Sequence, residues 1–337
     1  TLPAALPAQG ATTPAWRTVS RLHYGAANSY SGLLAVVAPA RKNAWAFGGT
    51  DLSGATAGAP LAEHWNGTAW KRATLPSGLA NEIAAASAPG SADIWAVSSL
   101  GGYVLHWNGT KWAVAKQFAE TPLPQELTGV TAFGPANVWV FGAPGANPGA
   151  GTWHLHGTTW TQVTGLAGGI TTASTLSPAS IWAITAGSAP QDTIAHYNGT
   201  SWHKVTSPAL SGLQFNGILA RSASDIWLSA MNGTKPTLVH FNGHQWQRAA
   251  VPFTLSIGSL AADGQGGLWI AGDQVSTNHS YALHRTAAGA WSRTLLSTQA
   301  LVGGFALIPG TTSAWAAGAT PQGTGGDATI WAHGPAA

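Results

Sequence analysis

Apolar positions fall in short runs broken by clusters of Gly, Pro, Asn, Asp and Ser. Residues 83–114 give the clearest copy of the pattern. Ile83 to Ser87 is small and apolar and suits a crowded innermost strand. Pro89-Gly90-Ser91-Ala92 predicts a turn. Ile94-Trp95-Ala96-Val97 predicts a second strand, residues 98–102 a loop, and Tyr103 to Trp107 a third strand. Asn108-Gly109 predicts a two-residue hairpin turn, because both central residues of a type I′ turn need positive φ. Thr110 to Val114 is the fourth strand. This register sets Trp107 opposite Thr110, His106 opposite Lys111 and Leu105 opposite Trp112. Alternation then puts Trp112 on the face of Leu105 and Trp107, with His106 facing away.

The pattern repeats. A turn-forming residue, an apolar residue and Trp recur with the Trp at positions 45, 95, 139, 182, 227, 269 and 315. The spacings are 50, 44, 43, 45, 42 and 46. A second signature, His-Trp-Asn-Gly-Thr-x-Trp in its clearest form, runs from His64 to Trp70 and from His106 to Trp112. Variants start at His154, His196, His240 and His284. Four strands at a period near 45 residues match a propeller blade. The seventh unit lacks its closing Trp, and Pro14-Ala15-Trp16-Arg17 at the other end resembles the missing piece. That circular offset predicts a closed ring: an all-β seven-bladed β-propeller, four antiparallel strands per blade, with the N-terminal strand completing the last blade. Residues 1–13 are then a lead-in and 14–337 a single propeller domain.

These repeats resemble secreted bacterial seven-bladed propellers with kelch-like repeats, over about residues 14–335. Phe47-Gly48-Gly49 matches the glycine pair of such repeats, and Val140-Phe141-Gly142-Ala143, Ile270-Ala271-Gly272 and Ala317-Gly318 match it in part. The resemblance implies an exported protein. Some propellers similar to galactose oxidase bind copper beside a Tyr–Cys crosslink. The chain has no Cys, so that chemistry does not carry over.

Only 7% of residues are charged, and the formal net charge is +3. No basic block points to nucleic acid, and no run of eighteen apolar residues predicts a membrane span. Without Cys there are no disulfides or thiolate metal sites. Among the 18 Trp, the repeated Trp of the second strand and the closing Trp of the fourth are the evident fillers between blades. The six repeated His lie on a wide circle, too far apart to share a metal, and are expected to bridge neighbouring strands. Trp331 is expected at their position in the seventh unit, with His333 corresponding to His156. The Asp or Asn before each core Trp is expected to cap its own turn. No metal and no cofactor is predicted.

Function then falls to the loops on a constant frame. The loops joining second and third strands are long at 50–60, 144–151, 187–192, 273–280 and 320–327, and poor in reactive groups. The loops entering the inner strands offer more. His23, Tyr24, Tyr30, Glu82 and Glu126 are the candidate catalytic residues. Asn28, Asn81, Gln125, Gln214, Asn216 and Gln299 are candidates for binding a ligand. At the axial mouth of that face, such a ring could hydrogen-bond the hydroxyls of a saccharide, bound or processed there, while Tyr stacks on a sugar face. The expected partner is a saccharide, with no nucleic acid or membrane span, and the expected state is a monomer, secreted or extracellular. Whether the chain is an enzyme stays open. Glu82 and Glu126 are the best pair for a hydrolase, which needs two carboxylates ~5–9.5 Å apart. His23, Tyr24 and Tyr30 are the acid–base candidates for a polysaccharide lyase. A non-catalytic protein-interaction scaffold is the third reading.

Overall fold

The computed structural model describes residues 15–25, 28–52, 58–118, 126–142, 151–166, 168–186, 192–298 and 301–335. Its strands form seven four-stranded antiparallel sheets. Blade one comprises Gly32–Ala40, Asn43–Gly49, Pro60–Trp65 and Trp70–Arg72. Blade two comprises Ile83–Gly90, Asp93–Ser98, Tyr103–Trp107 and Trp112–Gln117. The inner strands of blades three to six are Leu127–Ala132, Ile170–Ser177, Gln214–Ser222 and Ser256–Ala262. Each inner strand meets those of its two neighbours, and the first meets the last.

Closure follows the circular offset. Blade seven takes Val302–Leu307, Ala314–Gln322 and Gly325–His333 from the C-terminal end and Trp16–Leu22 from the N-terminal end. Trp16 pairs with His333 and Leu22 with Ala328. The lead-in, 1–13, lies outside the described residues. Trp16 also takes over the job of a closing Trp. It meets Trp269 of blade six edge-on at 5.1 Å, as Trp70 meets Trp315 at 5.2 Å and Trp112 meets Trp45 at 5.3 Å. In five blades, counting Trp160 on Trp95 and Trp246 on Trp182, the closing Trp thus packs on the core Trp of the preceding blade, and each such side chain removes ~150–250 Å² from water.

The Asp/Asn–Trp–His repeat is one polar-aromatic unit rather than three separate signals. In the first six blades the third-strand His lies flat on the core Trp, with ring centroids 4.0–4.3 Å apart. Its Nε2 bonds Asn43, Asp93, Asn137, Ser180, Asp225 or Asp263 at 2.8–3.1 Å. Trp45, Trp95 and Trp227 donate their indole N–H to the same Asn43, Asp93 and Asp225 oxygens. The repeated His do bridge strands. The Asp and Asn, however, bond the imidazole, and Asn43, Asp93 and Asp225 also accept from the indole, instead of capping their own turns. Blade six has Gly267 at this position. A Cβ there would sit 2.3 Å from Asp263 Oδ2, so the glycine leaves room for a carboxylate arriving from the turn.

Two details of register differ from expectation. Trp107 pairs with Trp112, His106 with Ala113 and Leu105 with Val114. The connection is a four-residue turn, because Asn108 Oδ1 accepts from the Thr110 N–H, the Thr110 hydroxyl and the Lys111 N–H. The Asn side chain replaces the tight backbone turn that Asn-Gly suggested. In blade seven Ala332 pairs with Trp315, so Ala332, not Trp331, holds the repeated His position. His333 pairs with Ala314 as Leu155 pairs with Val138, so it corresponds to Leu155 rather than His156.

Two features shape the face where the inner strands begin. All seven inner strands carry a bulge near their start, where one extra residue faces the second strand. Thr128 and Asn216 sit at these bulges and donate across to the next inner strand, at Ile170 O and Ile257 O. The second and third strands of blades five, six and seven also run on past the ring. Asp273 pairs with Ser280 and Thr320 with Asp327. The segments 273–280 and 320–327 are therefore hairpin tips with strand pairing, not open loops. Of the other long connections, 53–57, 143–150 and 187–191 lie outside the described residues.

Candidate functional site

The raised hairpin of blade seven gives the N-terminal connection a seat. After the closing strand, the chain crosses to blade one and docks on the hairpin tip. Ser31 N–H donates to Gly326 O at 2.9 Å, and Gly326 N–H donates to Ser29 O at 3.2 Å. Tyr30 O accepts from Leu52 N–H on the blade-one side. The Tyr30 ring lies against Gly326, where a Cβ would come within 2.7 Å of it. Glycine at 326 is thus what lets the ring lie there. The neighbouring Asp273 carboxylate of blade six and burial together raise the Tyr30 hydroxyl pKa, burial being the larger effect. Burial also raises the Asp273 carboxyl, against a short hydrogen bond from Ser280.

His23 and Asp327 complete this shoulder. His23 Nδ1 lies 3.0 Å from Asp327 Oδ1, and Arg21 Nε donates to Asp327 Oδ2 at 2.8 Å. Arg21 also donates to Pro321 O. Asp327 is 8% exposed, so this carboxylate is held by two basic groups below the surface. Blades six and seven and the crossing chain therefore bring His23, Tyr30, Asp273 and Asp327 to one side of the mouth.

Tyr24 goes elsewhere. It points into the junction between blades seven and one and packs on the core that includes Leu33, Trp70 and Trp315. Its hydroxyl is buried beside Glu63 and its ring carries the Arg72 guanidinium at 4.9 Å. Glu63 is 0% exposed and accepts from Ser20 at 3.2 Å. Burial pushes its carboxyl up to about 7, against the Ser20 hydrogen bond and the nearby Tyr24 hydroxyl. Burial first, and the Glu63 charge second, raise the Tyr24 hydroxyl, while Arg72 opposes them.

The remaining candidates are dispersed. Glu82 opens blade two beside Gly49, and Asn81 before it adopts φ 67° with its N–H on Gly58 O. Glu126 is exposed ahead of blade three. No hydrogen bond or ion pair among the described residues joins it to Glu82. Asn28 is exposed on the crossing chain, and Gln214 is exposed at the start of blade five. Asn216 spends its amide on the Ile257 carbonyl. Gln125 and Gln299 lie outside the described residues. No cluster of three or more His, Asp or Glu among the described residues is placed to hold a metal ion, and no helix among them is long and apolar enough to cross a membrane.

Sequence reasoning missed Asp273, Asp327 and Glu63. The first two sat in stretches taken as unreactive loops. Glu63 carried a usable signal. Its strand position holds Leu105, Trp153, Ala195, Val239, Leu283 and Trp331 in the other blades. One carboxylate in six apolar equivalents marks a special junction.

Comparison with protein-family models and with curated protein sequences finds no match. Solved structures do match over most of the chain. One is YCF48 bound to D1 peptide, at TM-score 0.66 and 13% identity, covering 98% of this chain and 100% of that one. A streptogramin B lyase matches at TM-score 0.65 and 12% identity, over 95% of this chain and 97% of that one. The GH74 xyloglucanase from Xanthomonas campestris matches at TM-score 0.61 and 15% identity, over 90% of this chain and 53% of that one. At such identities the likeness concerns the fold: an all-β, seven-bladed β-propeller.

Proposed function

We propose that this chain is an exported, monomeric propeller that binds a saccharide on the face where its inner strands begin. The observation that carries the reading is the shoulder at blades six, seven and one. There an aromatic ring on Gly326 sits with Asp273, Asp327, His23 and Ser280. Sugar recognition calls for this mixture: a ring to cover a sugar face and convergent polar groups to bond its hydroxyls. The core Trp, the closing Trp and the repeated His are already spent on one another between strands and blades, so they contribute frame rather than the shoulder. Propellers of this fold include a xyloglucanase, which supports the class of ligand.

Binding is the primary act in this reading. The His23–Asp327 pair would also orient an imidazole as a base, which favours lyase turnover over two-carboxylate hydrolysis as the second reading. A glycan screen with the full chain, followed by calorimetry on Tyr30→Ala and Asp273→Asn, tests the proposal. Saccharide binding weakened at least tenfold by each change is expected. Binding of peptides in preference to all glycans would overturn it. Release of reducing or unsaturated ends from a bound polysaccharide would turn the binder into an enzyme.

A further inference from the structure

A second polar-aromatic cavity lies on the rim, away from the mouth. It is an open groove of about 430 Å³ between the outer strands of blades one and two. Lys71, Arg72 and Thr74 line it from blade one, and Trp107, Thr110 and Lys111 from blade two. A neighbouring hollow of similar size shares Arg72 and Thr74. Trp107 is half-buried and braced by Trp45 at 5.0 Å and Trp112 at 5.9 Å, so its ring is a fixed wall. Lys71 and Lys111 are exposed. Among the described residues, none of the three cations belongs to an ion pair.

Charge is concentrated here. Six of the 14 basic residues, Arg41, Lys42, Lys71, Arg72, Lys111 and Lys116, fall within blades one and two. The acidic residues of the same blades do little to neutralise them. Glu63 is buried, Asp93 is engaged by His106 and Trp95, and Asp51 and Glu82 lie at the face where the inner strands begin, beside Gly25 and Gly49, outside the cavity lining. After the closing Trp, the place of Lys71 is taken by Arg17 in blade seven and by Ala113, Thr161, His203, Gln247 and Ser292 in the others, and the place of Arg72 by Lys204, Arg248 and Arg293 in blades four to six. Just before the closing Trp, the place of Lys111 is taken by Ala15, Ala69, Thr159, Ser201, Gln245 and Ala290. Cations after the closing Trp recur around the ring, but no other blade carries one just before it, so the meeting of Lys71 with Lys111 at one groove is a local departure from the repeat.

We propose that this cavity binds an acidic oligosaccharide, with carboxylate or sulfate groups on Lys71 and Lys111 and a sugar ring against Trp107. The geometry disfavours two other polyanions. The outer strand of blade one is three residues long, too short an edge to take up a peptide as an added strand. The cations also converge on one cavity and do not form the backbone-tracking groove that single-stranded nucleic acid needs. The inference stands apart from the mouth, since it uses none of the shoulder residues.

Calorimetry on the intact chain tests it, with a sulfated heparin hexasaccharide and a hexagalacturonate as probes. Cellohexaose, a glutamate hexapeptide and an oligothymidylate serve as comparators. Either acidic sugar should bind, cellohexaose should bind at least tenfold more weakly, and added salt should weaken the acidic ligand. Lys71→Ala and Lys111→Ala should each cost about tenfold, as loss of one charge-assisted bond does. Both side chains are exposed, and thermal melts monitor the fold of each variant. The proposal is overturned if no acidic sugar binds, if the peptide or the oligothymidylate binds tighter, or if Lys71→Glu/Lys111→Glu leaves affinity unchanged. Acidic-sugar binding that survives those changes but is lost in Tyr30→Ala belongs to the mouth and likewise overturns the groove.

Discussion

Replacing Glu63 with Gln tests a carboxylate that is fully buried at the ring closure. Glu63 faces Ser20 of the closing strand, the Tyr24 hydroxyl of the crossing chain and, beyond its ring, Arg72 of the outer strand. In the unfolded chain its carboxyl titrates near 4.5, and in the folded ring near 7. The folded state thus holds a proton that the unfolded state releases between these values. The resulting stability is fully present below about 4.5 and is lost as pH rises through about 7. That span, at ~1.4 kcal/mol per pH unit, amounts to about 3 kcal/mol. Gln keeps the shape and cannot ionise. Urea titrations of wild type and Glu63→Gln should differ little at pH 5, while at pH 8.5 the variant should be more stable by about 2–3 kcal/mol. Burial lowers the pKa of His64, His154 and His196, which makes acid costly for both proteins alike and drops out of the difference. An equal gap at both pH values, or a variant weaker at both, would refute the reasoning.

Other outcomes follow from the same packing. Trp16→Ala removes a ring held by Trp269, Phe305 and His333 and should cost ~3–5 kcal/mol in chemical denaturation. Deleting residues 1–20 should lower the melting temperature by exposing the edge of blade seven, and an unchanged melt would contradict closure. Asp225→Ala strands His240, the Trp227 indole and Arg221 together, and should cost ~1–3 kcal/mol, read by urea titration. Gly326→Ala forces the Tyr30 ring aside and should weaken saccharide binding at least tenfold in calorimetry while the ring stays folded.

The blades were legible because each repeat spells its own contacts. A Trp every 42–50 residues, with a His one strand later, could only be spaced that way by a repeating frame. The offset of Trp16 likewise foretold which strand would finish the ring. Side-chain chemistry that spans blades was not legible. Tyr30 meets Asp273, and His23 meets Asp327, across most of the chain length, and nothing local in either segment marks its partner. Hairpin register failed for a local reason: Asn108 turns the chain with its side chain, which Asn-Gly alone does not reveal. Tyr24 lies beside His23 in sequence but not in its surroundings. Successive residues of an extended segment point opposite ways, and Tyr24 faces the core.

The most direct test of the saccharide-binding account is a crystal structure of the chain soaked in a mixture of acidic and neutral oligosaccharides. The account predicts sugar density on the shoulder, with hydroxyls within ~3 Å of the Tyr30, Asp273 or His23 polar atoms. An empty shoulder beneath clear sugar density elsewhere, or no sugar density at all, would contradict it.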